Sequence, residues 1–168
     1  MVDCNESDDP IPSSPPTINM VDSLVMVDFY HSMKLNQWGE PYDWDLTDPN
    51  TWMGVEFLED ENGLKYIGGI KLLYGKNFNC SLPASIGNLK YLVGLILHDI
   101  PHLQETLPES IYDCPMNFIS IADCSKFTGA LSSQIAQWGK TITEIVISRT
   151  GLQKEIPKEI GQCKLSLC

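Results

Sequence analysis

A repeat of 24 or 25 residues constrains the fold of this chain more than any other feature of its sequence. The phrase LPASI at 82–86 returns as LPESI at 107–111. Each of three complete units carries seven apolar residues at matching positions, which chance does not produce. Aligned on the Leu-Pro position, the units are 82–106, 107–130 and 131–155, with a fourth beginning at 156.

Each unit predicts one strand and one short turn. The segment LVGLIL at 92–97 alternates as a half-buried strand does. The segment PASIGNL at 83–89 places apolar residues at a spacing near three, which favours a short 3₁₀ turn. One unit buries too little apolar surface to offset the entropy of ordering its backbone, so the units must stack. We expect an α/β solenoid with a parallel β-sheet on its concave face and 3₁₀ or helical turns on its convex side.

Composition divides the chain into three parts. Residues 1–19 are acidic and rich in Pro and Ser, and we expect a disordered tether. Residues 20–66 are predicted to form an N-terminal cap. Residues 67–168 hold the repeats, the last of them incomplete.

The cap is predicted to combine a helix, a tryptophan-rich loop and a hairpin. Apolar spacing over 21–33 favours a helix capped by Asn19 or Asp22. Three tryptophans follow within fifteen residues. Asn-Gly between two apolar runs then predicts antiparallel strands at 53–58 and 64–73.

Charge is distributed unevenly along the chain. Residues 1–62 hold 14 acidic residues and one basic residue, whereas residues 63–168 hold 8 acidic and 10 basic residues, for a net charge of −11. Binding to a phosphate backbone requires a basic stripe, which neither part provides. We therefore expect no nucleic-acid partner.

The third unit carries a family resemblance. The segment 142–157, ITEIVISRTGLQKEIP, resembles the plant-type leucine-rich repeat L-x-x-L-x-L-x-x-N-x-L-x-G-x-I-P. The segment TWMGV at 51–55 is similar to the W-x-G-V motif of that family's N-terminal cap, but this cap lacks the paired cysteines of plant members. In this it resembles bacterial and protist surface leucine-rich repeat proteins. The resemblance implies a right-handed horseshoe that binds ligands on its concave face. The family's asparagine position is held here by Gly75, Ile100, Cys124 and Thr150.

Neither the cysteines nor the acidic residues form a recognisable metal motif. The six cysteines, at 4, 80, 114, 124, 163 and 168, include no C-x-x-C pair, and we expect buried free thiols. The acidic run from Asp43 to Asn50 lacks the glycine and closing glutamate of an EF-hand. We predict no metal, no cofactor and no catalytic residue, since no nucleophile, zinc or phosphate-loop motif is present.

The N-terminus leaves two readings open. Cys4, followed by acidic residues and a Pro/Ser stretch, resembles the start of a mature bacterial lipoprotein and is a candidate lipidation site. This reading predicts a membrane contact only through that anchor, after removal of a signal segment. The alternative is the acidic tail of an intracellular protein.

Strand alternation predicts the ligand-binding surface. Residues between the buried positions point outward and stack from repeat to repeat. They combine apolar side chains with a charged rim, which is typical of protein contact sites. The predicted ligand-binding residues are Lys71, Leu73, Tyr74, Ile96, His98, Asp99, Phe118, Ser120, Asp123, Glu144, Val146 and Arg149.

These features favour a non-catalytic recognition module for a protein, peptide or glycan ligand. The expected location is the cell surface or the secreted fraction, with an outer-membrane lipid anchor as one form and the cytoplasm as the alternative. A structural or self-associating protein is the second functional reading, because the C-terminal repeat leaves a strand edge open.

Overall fold

A computed structural model describes residues 17–153, 155–163 and 165 of the 168-residue chain. One α-helix, α1, spans Met20–Ser32. The strands are β1 Val55–Glu59, β2 Lys65–Leu73, β3 Gly94–His98, β4 Phe118–Ala122, β5 Thr128–Gly129, β6 Glu144–Ser148 and β7 Gly151–Leu152. The 3₁₀ segments are Leu35–Gln37, Pro49–Thr51, Ala84–Asn88, Glu109–Asp113, Ser133–Trp138 and Lys158–Gln162.

Helix α1 begins at a side-chain cap and packs against the 3₁₀ segments Leu35–Gln37 and Ala84–Asn88. Oδ1 of Asn19 accepts hydrogen bonds from the backbone N–H groups of Val21, at 3.0 Å, and Asp22, at 3.2 Å. Of the two caps that the sequence allowed, the helix uses Asn19. Asp22 is buried instead, and its carboxylate accepts a hydrogen bond from the Ile67 N–H at 2.7 Å. Leu24, part of the predicted apolar face, is exposed.

The main sheet joins a hairpin to a parallel ladder. Its strand order is β1-β2-β3-β4-β6, and only the β1–β2 pair is antiparallel. Lys71 pairs with Ile96, Ile96 with Ser120, and Ser120 with Val146, so equivalent repeat positions lie side by side. This register is the one that the repeat alignment predicts. Strand β2 belongs to both the hairpin and the ladder, which connects the cap directly to the repeats.

The seven apolar positions of each repeat, which are predicted to point inward, form the core. In the first two units every one of them is buried, including Leu95 and Leu97 on β3. In the third unit Leu131, Ile145, Ile147 and Leu152 are only half-buried, and no further strand covers β6 within the described residues. The 3₁₀ segments of successive units pack against one another in a second row. The result is a solenoid-like β fold with a parallel sheet and few helices.

A second, smaller ladder was not anticipated from the sequence. Strands β5 and β7 pair in parallel, and isolated bridges join Cys80 to Leu103 and Glu105 to Phe127. These contacts repeat at equivalent positions beyond the main sheet. They hold the connecting segments of neighbouring units together and supply hydrogen-bond partners for backbone that would otherwise lack them.

Each repeat turns sharply after its main-sheet strand. Tyr74, Asp99, Asp123 and Arg149 occupy equivalent positions and all have positive φ, between 49° and 60°. The next residue is the asparagine position of the family pattern. There the Cys124 Sγ lies 3.2 Å from the carbonyl oxygen of Ala122 and 3.5 Å from that of Leu97 on β3, so its single S–H donor is within reach of both the preceding strand and the neighbouring repeat. Ile100 has no such donor and instead packs fully buried.

The described cysteines are free thiols. Cys80, Cys114 and Cys124 are buried, as predicted, whereas Cys163 is half-buried. Burial raises the pKa of the Cys80 and Cys114 thiols to about 12, so both stay protonated at neutral pH. Cys4 and Cys168 lie outside the described residues.

Candidate ligand-binding surface

Eight of the twelve predicted ligand-binding residues lie at alternate positions of β2, β3, β4 and β6, on the surface opposite the core, and the other four lie in the turns that follow these strands. We call this surface the outer sheet face. Its central row consists of Lys71, Ile96, Ser120 and Val146 in register. The remaining predicted members, none of them buried, are Leu73, Tyr74, His98, Asp99, Phe118, Asp123, Glu144 and Arg149.

Three apolar residues of the outer sheet face, Ile96, Phe118 and Val146, form what we call the apolar strip, in which Ser120 lies between Ile96 and Val146. The Phe118 ring lies over Gly94, where an added Cβ would be 2.5 Å from the ring atom Cε1. A side chain at position 94 would therefore displace the ring. Ile96 and Phe118 are half-buried, and Val146 is 36% exposed. The strip is open to solvent and has no covering element among the described residues.

The polar groups within and around this strip are partly paired. His98 Nε2 lies 2.7 Å from Ser120 Oγ. The Arg149 guanidinium forms a two-pronged ion pair with Asp123, with Nη2 donating to Oδ2 at 2.5 Å. The hydrogen bond from Arg149 lowers the pKa of the Asp123 carboxyl. Glu144 has no ion-pair partner in the described part of the chain.

Beside β2 the cap extends this surface with a groove that sequence reasoning missed. The groove has a volume of about 530 Å³, within the range of ligand pockets. Its lining residues are Trp38, Glu40, Pro41, Tyr42, Met53, Gly54, Lys71, Leu73, Tyr74 and Lys76. We call it the cap groove. It adjoins the outer sheet face because Lys71, Leu73 and Tyr74 belong to both.

Two contacts fix the cap loops against β2. The Tyr42 hydroxyl accepts a hydrogen bond from the Leu73 N–H at 2.9 Å. The Lys71 N–H donates to the Gly54 carbonyl at 2.7 Å. Gly54 has φ of +87°, and a Cβ there would lie 2.1 Å from the Lys71 carbonyl oxygen, so only glycine fits.

Ring stacking and a hydrogen bond of the cap tryptophans hold these loops in place. Trp44 stacks on Tyr30 and on Trp52, with ring centroids 5.8 and 5.9 Å apart. The Trp52 Nε1–H donates to the Asp45 carbonyl at 2.9 Å. Two residues of the W-x-G-V segment therefore have a structural role. Trp52 holds the loop, and Gly54 permits its close approach to β2.

The acidic run between Asp43 and Asn50 is used for turns. The Asp45 carboxylate accepts from the N–H and hydroxyl of Thr47, and the Asp48 carboxylate accepts from Asn50. Among the residues with described positions, no cluster of His, Cys, Asp and Glu has an arrangement suited to a metal. None of the described helices is long and apolar enough to cross a bilayer.

Comparison with known proteins supports the fold rather than an activity. No protein-family model and no curated protein matches the sequence. A plant ice-binding protein superposes with a TM-score of 0.73 at 20% identity over 86% of this chain. The leucine-rich repeat ectodomain of the Arabidopsis thaliana receptor kinase SOBIR1 gives a TM-score of 0.62 at 17% identity over 81% of the chain. The fold is leucine-rich-repeat-like.

Two further similar structures are complexes. The PEPR1–AtPEP1 structure superposes with a TM-score of 0.64 at 17% identity, and the BIR3–SERK2 complex from Arabidopsis thaliana with 0.65 at 15% identity; each match covers 86% of this chain. The chain spans 45% of the ice-binding protein, 20% of the PEPR1 chain, 70% of SOBIR1 and 78% of the matched chain of the BIR3 complex. At these identities the likeness concerns the scaffold alone.

Proposed function

We propose that this protein is a non-catalytic recognition module that binds a protein or peptide ligand on the outer sheet face, which would be the concave face of a right-handed horseshoe. The observation that carries the proposal is the apolar strip of Ile96, Phe118 and Val146, which is partly exposed on the side of the sheet opposite the core. An apolar centre with a charged rim is the usual anatomy of a protein contact site.

The similar structures agree with this reading without identifying a ligand. Two of them are complexes, and SOBIR1 is a leucine-rich repeat ectodomain of a receptor kinase. By the same analogy we place the protein at the cell surface or in the secreted fraction, with lipidation at Cys4 as one means of attachment. A glycan is the alternative ligand class.

The first step of the test is to select a ligand that binds the protein. The full chain is used to enrich binders from a displayed random peptide library, and a glycan array is screened in parallel. The enriched ligand is then measured against Ile96→Asp and Val146→Asp. Gln137→Asp, an exposed position on the 3₁₀ segment Ser133–Trp138, is the matched control.

We expect both outer-face variants to lose binding, since each places a charge in the apolar strip, while the control binds as the wild type does. Circular dichroism checks that all three variants remain folded. Equal binding by the wild type and both outer-face variants would refute the choice of face. Enrichment of glycans alone would replace the peptide ligand with a glycan.

Self-association is the second candidate, and the exposure of β6 favours it. This strand has no partner on its outer edge among the described residues, and its core-side residues Ile145 and Ile147 are only half-buried. Ile156 nearby is 67% exposed. Such an edge can pair with a second copy of the chain. Sedimentation over a range of concentrations tests this, and a strict monomer would contradict it.

A further inference from the structure

The cap groove is a cleft between the cap loops and the C-terminal part of β2 with the turn that follows it. Its walls are the Trp38 and Tyr42 rings, which meet edge to face with centroids 5.5 Å apart. Both rings are buried, and the hydrogen bond from Leu73 to the Tyr42 hydroxyl fixes the second of them. The groove therefore requires little reordering before it accepts a ligand.

Large apolar side chains flank the mouth of the cap groove. Met53 is 55% exposed and Tyr74 is 73% exposed, although both are large and apolar or aromatic. Met53 comes from the W-x-G-V loop and Tyr74 from the turn after β2, and both line the cap groove. A ligand side chain entering the cap groove would cover both, and this apolar burial favours an aromatic or large aliphatic group.

The charged residues of the cap groove favour an anion beside that apolar group. Lys71 and Lys76 both line it and are both exposed. The ion pair between Arg149 and Asp123 is the single salt bridge recorded in the described part of the chain, so neither lysine has a carboxylate partner there. Glu40 also lines the cap groove and opposes a negative ligand, but the two cations outnumber it.

We infer that the cap groove binds a peptide segment in which a large apolar side chain lies next to a carboxylate. The apolar side chain contacts Met53 and Tyr74, and the carboxylate lies between the ammonium groups of Lys71 and Lys76. This inference deepens the proposed function, on which it rests for the class of ligand: the segment is the part of the bound peptide that passes from the outer sheet face onto the cap.

The test uses small probes of defined charge with the full-length protein. N-acetyl-Phe-Asp-amide and N-acetyl-Phe-Lys-amide differ only in the charged side chain, and N-acetyl-Gly-Asp-amide lacks the apolar one. Amide chemical-shift changes during NMR titration detect the weak binding expected of such fragments. We expect the Phe-Asp probe to shift the amides of Gly54, Lys71, Leu73 and Tyr74, and the other two probes to bind about tenfold more weakly.

Charge variants make the test specific. The double variant Lys71→Glu and Lys76→Glu should reverse the preference, so that the Phe-Lys probe binds about tenfold more tightly than the Phe-Asp probe. Lys126→Glu, an exposed lysine away from the groove, makes the same kind of charge change and should leave the preference as it is. Glu40→Gln should strengthen binding of the Phe-Asp probe, an effect that a merely structural role would not produce.

Equal binding of the Phe-Asp and Phe-Lys probes, or shifts confined to residues outside the cap groove, would overturn the inference. So would an unchanged preference in the double lysine variant. The outcome is separable from that of the proposed function, because Val146→Asp alters the strip and leaves the cap groove intact. If Val146→Asp retains the library-selected ligand while the probes behave as expected, the choice of the strip fails and the cap groove stands.

Discussion

Replacing Asp22 should reveal how strongly the cap depends on one buried hydrogen bond. Asp22 is 3% exposed, and its carboxylate is the acceptor for the Ile67 N–H at 2.7 Å. This bond joins the first turn of α1 to the strand that the cap shares with the repeats. Asp22→Ala removes the acceptor and leaves the N–H group buried without a partner.

The expected cost follows from the desolvation of that group. An unpaired buried donor costs about 1–3 kcal/mol, so Asp22→Ala should lower the free energy of unfolding by about that amount. Asp22→Asn is the matched control, since its amide oxygen can accept the same hydrogen bond without carrying a charge. We expect Asp22→Asn to differ from the wild type by less than about 1 kcal/mol at neutral pH.

The assay is urea unfolding followed by tryptophan fluorescence. Trp38, Trp44 and Trp52 are all buried in the cap, so the signal reports on the region that Asp22 supports. An unfolding free energy for Asp22→Ala equal to that of the wild type would refute the reasoning. Equal losses in Asp22→Ala and Asp22→Asn would refute it too, because the hydrogen bond would then not be the source of the effect.

The pH dependence gives an independent check. Burial raises the pKa of Asp22 above its ordinary value of 3.8, although the Ile67 N–H opposes the shift. Folding therefore favours the protonated carboxyl. The stability of the wild type relative to Asp22→Asn should fall as pH rises from about 4 through the raised pKa, and should not change further above it.

Three other perturbations follow from the same structure. Gly54→Ala should lower the free energy of unfolding by about 1–3 kcal/mol, measured in urea, because a positive φ and contact with the β2 backbone both oppose a side chain. Cys80 and Cys114 should resist iodoacetamide in the folded protein and react in urea, since burial raises the pKa of each thiol to about 12; peptide mass mapping reads this out, and labelling without urea would contradict it. Arg149→Ala should leave the urea midpoint unchanged, because its side chain is 71% exposed and surface ion pairs contribute little; a clear shift would indicate a structural role.

The regular part of the fold could be predicted because the same pattern of apolar positions recurs in each repeat. The alternation at Leu95 and Leu97 recurs in every unit, so register, strand direction and the outward residues follow from alignment alone. The short 3₁₀ turns follow from the spacing of apolar residues after the Leu-Pro position. Because the pattern repeats, the prediction for each unit supports the predictions for the others. A single strand or turn would offer no such check.

The cap groove could not be predicted, because contacts between distant residues create it. Tyr42 meets Leu73 across 31 positions of sequence, and Gly54 meets Lys71 across the hairpin. Asp22 was a candidate helix cap on local grounds, but the tertiary hydrogen bond to Ile67 determined its actual role. The W-x-G-V glycine was the one local signal of a close backbone approach, since glycine at such a position often permits one.

The most direct measurement of the central claim is to map where a library-selected ligand lies on the protein. Amide chemical shifts of the full chain are compared with and without that ligand, at saturation. We predict changes concentrated on β3 and β4, at residues such as Ile96 and Ser120, and on the turn after β2. Changes confined to the 3₁₀ segments on the other side of the core, with the outer sheet face unaffected, would contradict the account.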